Sequence, residues 1–437
     1  MKTGSGTHRV LLIGGGALVV RLAYWVAFMR HYVPQSDAAQ YLRIAHNFAT
    51  GHGIADYYPQ VHIHATAFRP PLYPALLGGL FKLFGTHLAV AQATNAVLGA
   101  TVVVLADLVA TRIAGPRAGL AAACVVALTP SLIPNDLVAL SEPLSLVVFL
   151  VVVLLLFGRR WAAAGFATGL LLLTRPSAPA LLATAGVWLL SRIGWKAALR
   201  FGAAAVVTVA PWVVRNQIRV HSPVLVTSNG FNLNAVYSPE ALASQSFVDA
   251  SVDPRFGWLP AGDEAKWDRT LAQHGIYGAR THPAAVVRRV IRNAGQMAEL
   301  LPGYNLGAER LDGRNLALRN VTLPVFYLTT VLGIIGLRRH RHSPDLVLLV
   351  LLAVVMVVPS TLTVSVPRLR APLDLALAIA AALSFVKVAA TPARRRWLWR
   401  RRGRLPSTQR LPAQGPHREI PEPGPSAGVS GHGVGFP

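Results

Sequence analysis

Five arginines stand at or near proline corners in an otherwise apolar chain. They lie in Phe68-Arg69-Pro70-Pro71, in Thr174-Arg175-Pro176, in Pro211-Trp212-Val213-Val214-Arg215-Asn216, and in Pro367-Arg368-Leu369-Arg370-Ala371-Pro372. A guanidinium stays charged in a low-dielectric site and grips a phosphate through two parallel hydrogen bonds. An arginine at membrane depth costs roughly 2.5–3.5 kcal/mol, so an anionic ligand that offsets this cost is the chemistry the set suggests. The competing explanation for each arginine alone is that it snorkels to lipid headgroups. Carboxylates near them are few. Asp37 opens Ser36-Asp37-Ala38-Ala39-Gln40-Tyr41, Asp56 follows in the same segment, and Asp136 and Glu142 precede a long apolar run. Ser36 or Asp37 could cap a helix carrying Tyr41, Ile44, Ala45 and Phe48 on one side. Asp37 could instead be a general base whose burial raises its pKa toward working pH. Glu142, in Leu140-Ser141-Glu142-Pro143, is either a functional carboxylate or the ion-pair partner of an arginine. His52, His62 and His64 share one segment, but their spacing matches no closed zinc site, and a divalent metal receives no support from them.

The elements that must hold these side chains are apolar helices. Of 437 residues, 53% are hydrophobic and only 14% charged, against about a quarter charged in a soluble domain. The runs Leu144–Phe157, Asp345–Val358 and Leu373–Val386 lack a polar stripe, so they are expected in lipid or in protein, not facing water. Ten spans are expected: Arg9–Arg30, Leu88–Ile113, Arg117–Pro134, Leu137–Phe157, Trp161–Thr174, Pro176–Leu190, Ala197–Val214, Val321–Leu337, Asp345–Leu362 and Pro372–Ala389. Val10–Met29 contains Arg21 and no small-residue cleavage site, so it reads as a retained span. Pro71–Gly85 is too short to cross and is expected at the interface.

A formal charge of +24 raises the question of nucleic acid. The basic residues instead gather at alternate exits: Arg112 and Arg117; Arg159 and Arg160; Arg192, Lys196 and Arg200; Arg338, Arg339 and Arg341; and Arg394–Arg396. That is the positive-inside pattern, which puts both termini in the cytoplasm and argues against a nucleic-acid partner. The five proline-corner arginines break the pattern and fall on the opposite, extracytoplasmic face. Residues 1–219 are expected as a membrane domain with a first extracytoplasmic loop at 31–70. A small extracytoplasmic domain follows at 220–319, with a helix over Pro283–Leu301, then spans over 320–390 and a disordered basic tail at 391–437. The lone cysteine, Cys124, permits no intrachain disulfide.

With these residues in place the sequence resembles the GT-C superfamily of polytopic glycosyltransferases, in the branch of protein O-mannosyltransferases and aminoarabinose lipid A transferase. The likeness runs through Ser36-Asp37 with Tyr41, Gly51-His52-Gly53, Arg69-Pro70-Pro71-Leu72-Tyr73-Pro74, Ser141-Glu142-Pro143 and Leu173-Thr174-Arg175-Pro176. It continues through Pro211 to Asn216, Thr227-Ser228-Asn229-Gly230 with Asn232-Leu233, and Pro367 to Asp374. Many relatives carry a second acid directly after the aspartate, where this chain has Ala38.

The resemblance implies an all-α polytopic membrane fold. It also implies inverting transfer of a sugar from a polyprenyl-phosphate donor to a glycan, lipid or protein acceptor outside the cytoplasmic membrane, with no cofactor. It makes Asp37 the catalytic base. Arg69, Tyr73, Glu142, Arg175, Arg215, Asn216, Arg368 and Arg370 become the substrate-binding set. A transporter or flippase of an anionic glycolipid is the alternative, since it too would gather arginines on one face; an inactive scaffold is a third.

Overall fold

The computed structural model describes residues 4–57, 62–253, 255–256, 264–301 and 306–386. The basic tail expected at 391–437 lies outside them. Each expected span falls on a helix. The first is α1, Gly4–Tyr24, which widens into a π turn at Trp25–Met29. Then come α2, Ser36–Ala49; α3, Leu72–Phe84; α4, Leu88–Ala114; α5, Pro116–Ala127; and α6, Glu142–Phe157. The next three are α7, Trp161–Leu172; α8, Ala178–Arg192; and α9, Trp195–Arg219.

The described residues of the long segment that follows form α10, Asn229–Tyr237; α11, Pro239–Ser244; α12, Glu264–Thr281; α13, Pro283–Met297; and α14, Leu306–Leu311. The last are α15, Leu316–Arg339; α16, Pro344–Leu362; and α17, Ala371–Leu383.

Among the described residues, five helices, over His8–Met29 and in α4, α9, α15 and α16, are long and apolar enough to cross a bilayer, as a multi-pass membrane protein requires. The others are shorter because irregular chain replaces their ends. Between α5 and α6, residues 128–141 are irregular apart from a 3-10 turn opened by Pro134. Backbone inside a bundle must find partners there. Asn95 of α4 supplies them by donating to the carbonyls of Val138 and, at 3.0 Å, Leu140. Arg21, in the middle of this apolar setting, is neutralised by Asp136 at 2.7 Å.

Small residues set the helix spacing. A Cβ on Gly165 of α7 would lie 2.0 Å from the Phe201 carbonyl of α9, and one on Gly336 of α15 would lie 1.9 Å from that of Ala380 in α17. Close approach of this kind replaces the hydrophobic drive that is missing in lipid.

Residues 220–319 pack on the 31–70 segment. Phe68 meets Phe231, Trp267 and Leu271 in one apolar cluster, and His64-Ala65 pairs antiparallel with Ala55-Asp56. Helix α13 turns a polar side inward. Its buried side carries Arg289, Asn293 and Gln296, while Val287 and Ile291 are exposed. Asn293 donates to the carbonyls of Thr361 (3.0 Å) and Thr363 (2.9 Å), and Ser365 donates to Gln296 at 2.9 Å, which fixes the strand of chain leading to Arg368.

Candidate active site

The site is assembled from helix ends. Asp37 is the second residue of α2, and Arg69 precedes the Pro70-Pro71 step into α3. Glu142 opens α6, Arg175 sits in the turn between α7 and α8, and Arg368 lies in the 3-10 turn Pro367–Arg370 before α17. Proline explains the recurrence. It is tolerated in a first helical turn and disfavours helix at the residue before it, which applies to Arg69 and Arg175; Arg368 instead follows Pro367, which opens its 3-10 turn. Leu72 donates its backbone N–H to the Leu173 carbonyl at 2.9 Å and so ties the Arg69 corner to the Arg175 corner.

Asp37 does not cap its helix. Gln35 is the cap residue, without a side-chain bond, and Ser36 adopts a left-handed φ of 48°, a conformation that costs a non-glycine residue about 1 kcal/mol or more. That backbone kink aims Asp37 inward. One carboxylate oxygen accepts from Arg69 and the other from Arg368. Arg368 also reaches Glu142 at 2.7 Å, and Arg175 reaches the same Glu142 oxygen at 3.0 Å. Arg69 donates to Gln40 at 2.7 Å; Gln40 donates in turn to Asp56 at 3.0 Å, which Arg43 pairs at 3.1 Å. Tyr73 is fully buried, its ring edge-on to Tyr41 at 5.1 Å, and the Tyr41 hydroxyl lies 3.2 Å from Ser141 Oγ.

The expectation that burial raises the Asp37 pKa is corrected. Burial alone would raise it, but Arg69 and Arg368 outweigh that and hold the carboxyl well below the usual carboxylate range.

Arg69, Arg175 and Arg368 therefore converge with Asp37 and Glu142. Arg215 and Arg370 do not join their ion pairs. Arg215 donates to the carbonyls of Thr66 (2.8 Å) and Ile54 (2.6 Å) and to Asn216 (2.9 Å), and Asn216 donates to Val224 at 2.8 Å. These two residues brace the loop that carries Arg69. Arg370 turns to the other side of its short helix, pairing with Asp374 (2.7 Å) and Glu299 (3.4 Å) and stacking over Phe326 at 4.0 Å.

Asp312 joins these residues without any local signal in the sequence. It follows α14, and its carboxylate lies 2.8 Å from Arg368 Nε. Burial pushes it up to about 7; Arg368 opposes that, and Asp37 and Glu142 reinforce it. Asp312-Gly313 in a polar stretch reads as a turn, and only folding brings it to Arg368. Glu264 gives no local signal either. This buried carboxylate accepts from Thr66 Oγ1 (2.7 Å), the Ala67 N–H (3.0 Å) and Thr227, and faces His64 at 3.3 Å.

No family pattern matches the chain, and no curated protein resembles it in sequence. Among solved structures it is similar to the apo oligosaccharyltransferase of Archaeoglobus fulgidus, with a TM-score of 0.51 and 14% identity over 88% of this chain and 50% of that one. The chain thus spans about half the length of that enzyme. It is also matched to ArnT from Cupriavidus metallidurans bound to undecaprenyl phosphate, with a TM-score of 0.43 and 16% identity over 86% and 78% of the two chains. The likeness at this identity is one of fold: the chain shares the helical fold of that oligosaccharyltransferase.

Proposed function

We propose that the protein is an inverting glycosyltransferase that moves a sugar from a polyprenyl-phosphate carrier to an acceptor on the extracytoplasmic face of the membrane. The observation that carries this reading is the meeting of Arg69, Arg175 and Arg368, from three separate corners, around Asp37 and Glu142. A carboxylate held by two guanidiniums occupies the kind of place a phosphate would take. Asp37 keeps Arg69 and Arg368 aimed inward until the donor phosphate takes its position between them. The same pair then stabilises the charge that grows on the phosphate as its bond to the anomeric carbon breaks. Phosphate is a good leaving group, so one carboxylate that accepts the acceptor's proton suffices, unlike the acid–base pair of most glycosidases. The GT-C fold supports this reading.

The test is turnover of labelled polyprenyl-phosphate mannose and polyprenyl-phosphate arabinose by the purified full chain, with octyl glycosides as acceptors. Glycosylated product and free polyprenyl phosphate are expected with one of the donors. Arg368→Lys should lower kcat/KM roughly 10²–10³-fold, because a lysine cannot reproduce the fork that reaches several oxygens. Movement of intact donor lipid across proteoliposomes, with the sugar–phosphate bond never cleaved, would favour a flippase and sink the proposal.

A further inference from the structure

Helix α13 has the sides of a water-soluble surface helix reversed. Arg289, Asn293 and Gln296 are buried, whereas Val287 and Ile291 are 58% and 66% exposed. Beyond Arg288 every exposed residue up to Leu301 is apolar: Ile291, Ala294, Ala298, Leu300 and Leu301. A helix that shows water its apolar side gains nothing from the solvent. The same pattern suits a helix with protein on one side and lipid on the other.

Its neighbours give its depth. Asn293 is held by the carbonyls of Thr361 and Thr363, at the end of the apolar stretch of α16. Further along, the Glu299 carbonyl accepts from the Tyr327 hydroxyl of α15 at 2.8 Å. Tyr327 belongs to the apolar stretch Val321–Leu337 and stands about 9 Å inside its Val321 end, at the helical rise per residue. From Asn293 to Glu299 the chain therefore descends from the limit of one span to a level inside the other. Both spans turn apolar side chains outward there, Val354, Val358 and Leu362 on α16 and Val321, Val325 and Leu328 on α15.

The end of the helix is closed as backbone at membrane depth must be. Glu299 takes a left-handed φ of 58°, its N–H donates to the Gln296 carbonyl at 2.9 Å, and the Leu300 N–H donates to the Gly295 carbonyl at 2.8 Å. The Met297 carbonyl accepts from Arg370. This turn leaves Leu300 66% exposed beside a fully bonded chain end.

We propose that α13 is a re-entrant helix, inserted by its C-terminal half into the bilayer leaflet that borders the candidate site, with its Ile291–Leu301 side docked on lipid acyl chains. The proposal needs only that α15 and α16 cross the bilayer and is independent of the sugar-transfer reading. A water-soluble partner could not follow this side to the level of Tyr327, where the apolar surfaces of two spans continue it. The 220–319 segment is thus anchored in lipid. Because the polar side of α13 holds residues 361–365, the same helix sets the height of the Arg368 turn against the bilayer.

The experiment uses the full chain with its lone cysteine removed (Cys124→Ala) and single cysteines introduced by Ile291→Cys or Leu300→Cys. Each is labelled with bimane and reconstituted in phosphatidylcholine–phosphatidylglycerol vesicles, with or without brominated acyl chains. Val354→Cys on α16 serves as the lipid reference and Ser246→Cys as the water reference. Brominated chains should quench the labels at 291 and 300 within roughly twofold of the label at 354, and aqueous iodide should quench them far less than the label at 246. Wild-type protein in vesicles holding a phospholipid with a diazirine on its acyl chain should, on illumination, carry label within residues 291–301; this arm needs no substitution. The proposal is overturned if iodide reaches 291 and 300 as it reaches 246 while brominated chains leave them bright, since the side then faces water. It is equally overturned if neither quencher reaches them, the result for a side covered by a second copy or another protein. Photolabelling of α16 with none in 291–301 overturns it as well.

Discussion

Asp312 and Arg368 show what a single residue contributes here and what it costs. The Asp312 carboxyl titrates near 7 in the folded protein against 3.8 for a free aspartate. A folded pKa above the unfolded one means that the ionised form is disfavoured by folding. The penalty is absent below about 3.8, grows as pH rises, and is complete above about 7. Asp312→Asn should therefore raise the melting temperature at pH 8, with the gain fading toward pH 4, as thermal unfolding in detergent would show. Arg368 is the opposite case. Removing it strands Asp37, Glu142 and Asp312 together, and Arg368→Met should cost about 3–5 kcal/mol, the usual penalty for leaving buried charge unpaired.

At the level of elements, helix contacts far from the site set where the corners lie. Helix α17 begins directly after Arg370, and α15 rests on it through Gly333 and Gly336, whose added Cβ atoms would meet the Leu377 and Ala380 carbonyls at 2.8 and 1.9 Å. These neighbours are backbone and cannot rotate aside. Gly336→Val should force α15 from α17 and destabilise the protein by about 1–3 kcal/mol. It should also lower transfer, although Gly336 lies near the end of α15 farther from Asp312; melting and turnover of the same preparation test both. The prolines act at the other end of the same helices, turning the chain where an arginine must leave the bundle.

For the molecule as a whole, the 31–70 segment and the 220–319 segment are joined through Glu264. Its contacts to Thr66, Ala67 and Thr227 hold the chain two residues before Arg69. Burial would lower the His64 pKa, but its bond to Glu264 prevails and the pKa is raised above 6.5. The stabilisation from that pair is fully present below the unfolded value near 6.5 and is lost as pH rises through the higher folded value. Glu264→Gln should cost about 1.5–3 kcal/mol, the range for a bond to a charged group. It should also flatten the fall in melting temperature above pH 6.5 and raise KM for the donor. An unchanged pH slope would show that the clamp does not depend on His64.

Much of this was legible from residue types alone. Apolar runs marked where helices lie, because a bilayer or bundle interior demands long stretches without charge; among the described residues five of the ten expected spans fall on helices long and apolar enough to cross. The proline corners exposed Arg69, Arg175 and Arg368, because a charged residue at a helix end in an apolar chain stands out locally. Asp37 and Glu142 were found for the same reason. Arg215 and Arg370 have equal local signals, yet their guanidiniums turn to loop carbonyls and to Asp374 and Glu299. Asp312 and Glu264 stand in polar stretches where an acid attracts no notice, and Arg368 for the one and His64, Thr66 and Ala67 for the other lie far away in sequence. A side chain's direction, and a carboxylate's proton affinity, depend on which distant charges fold against it. Those the tertiary structure alone decides.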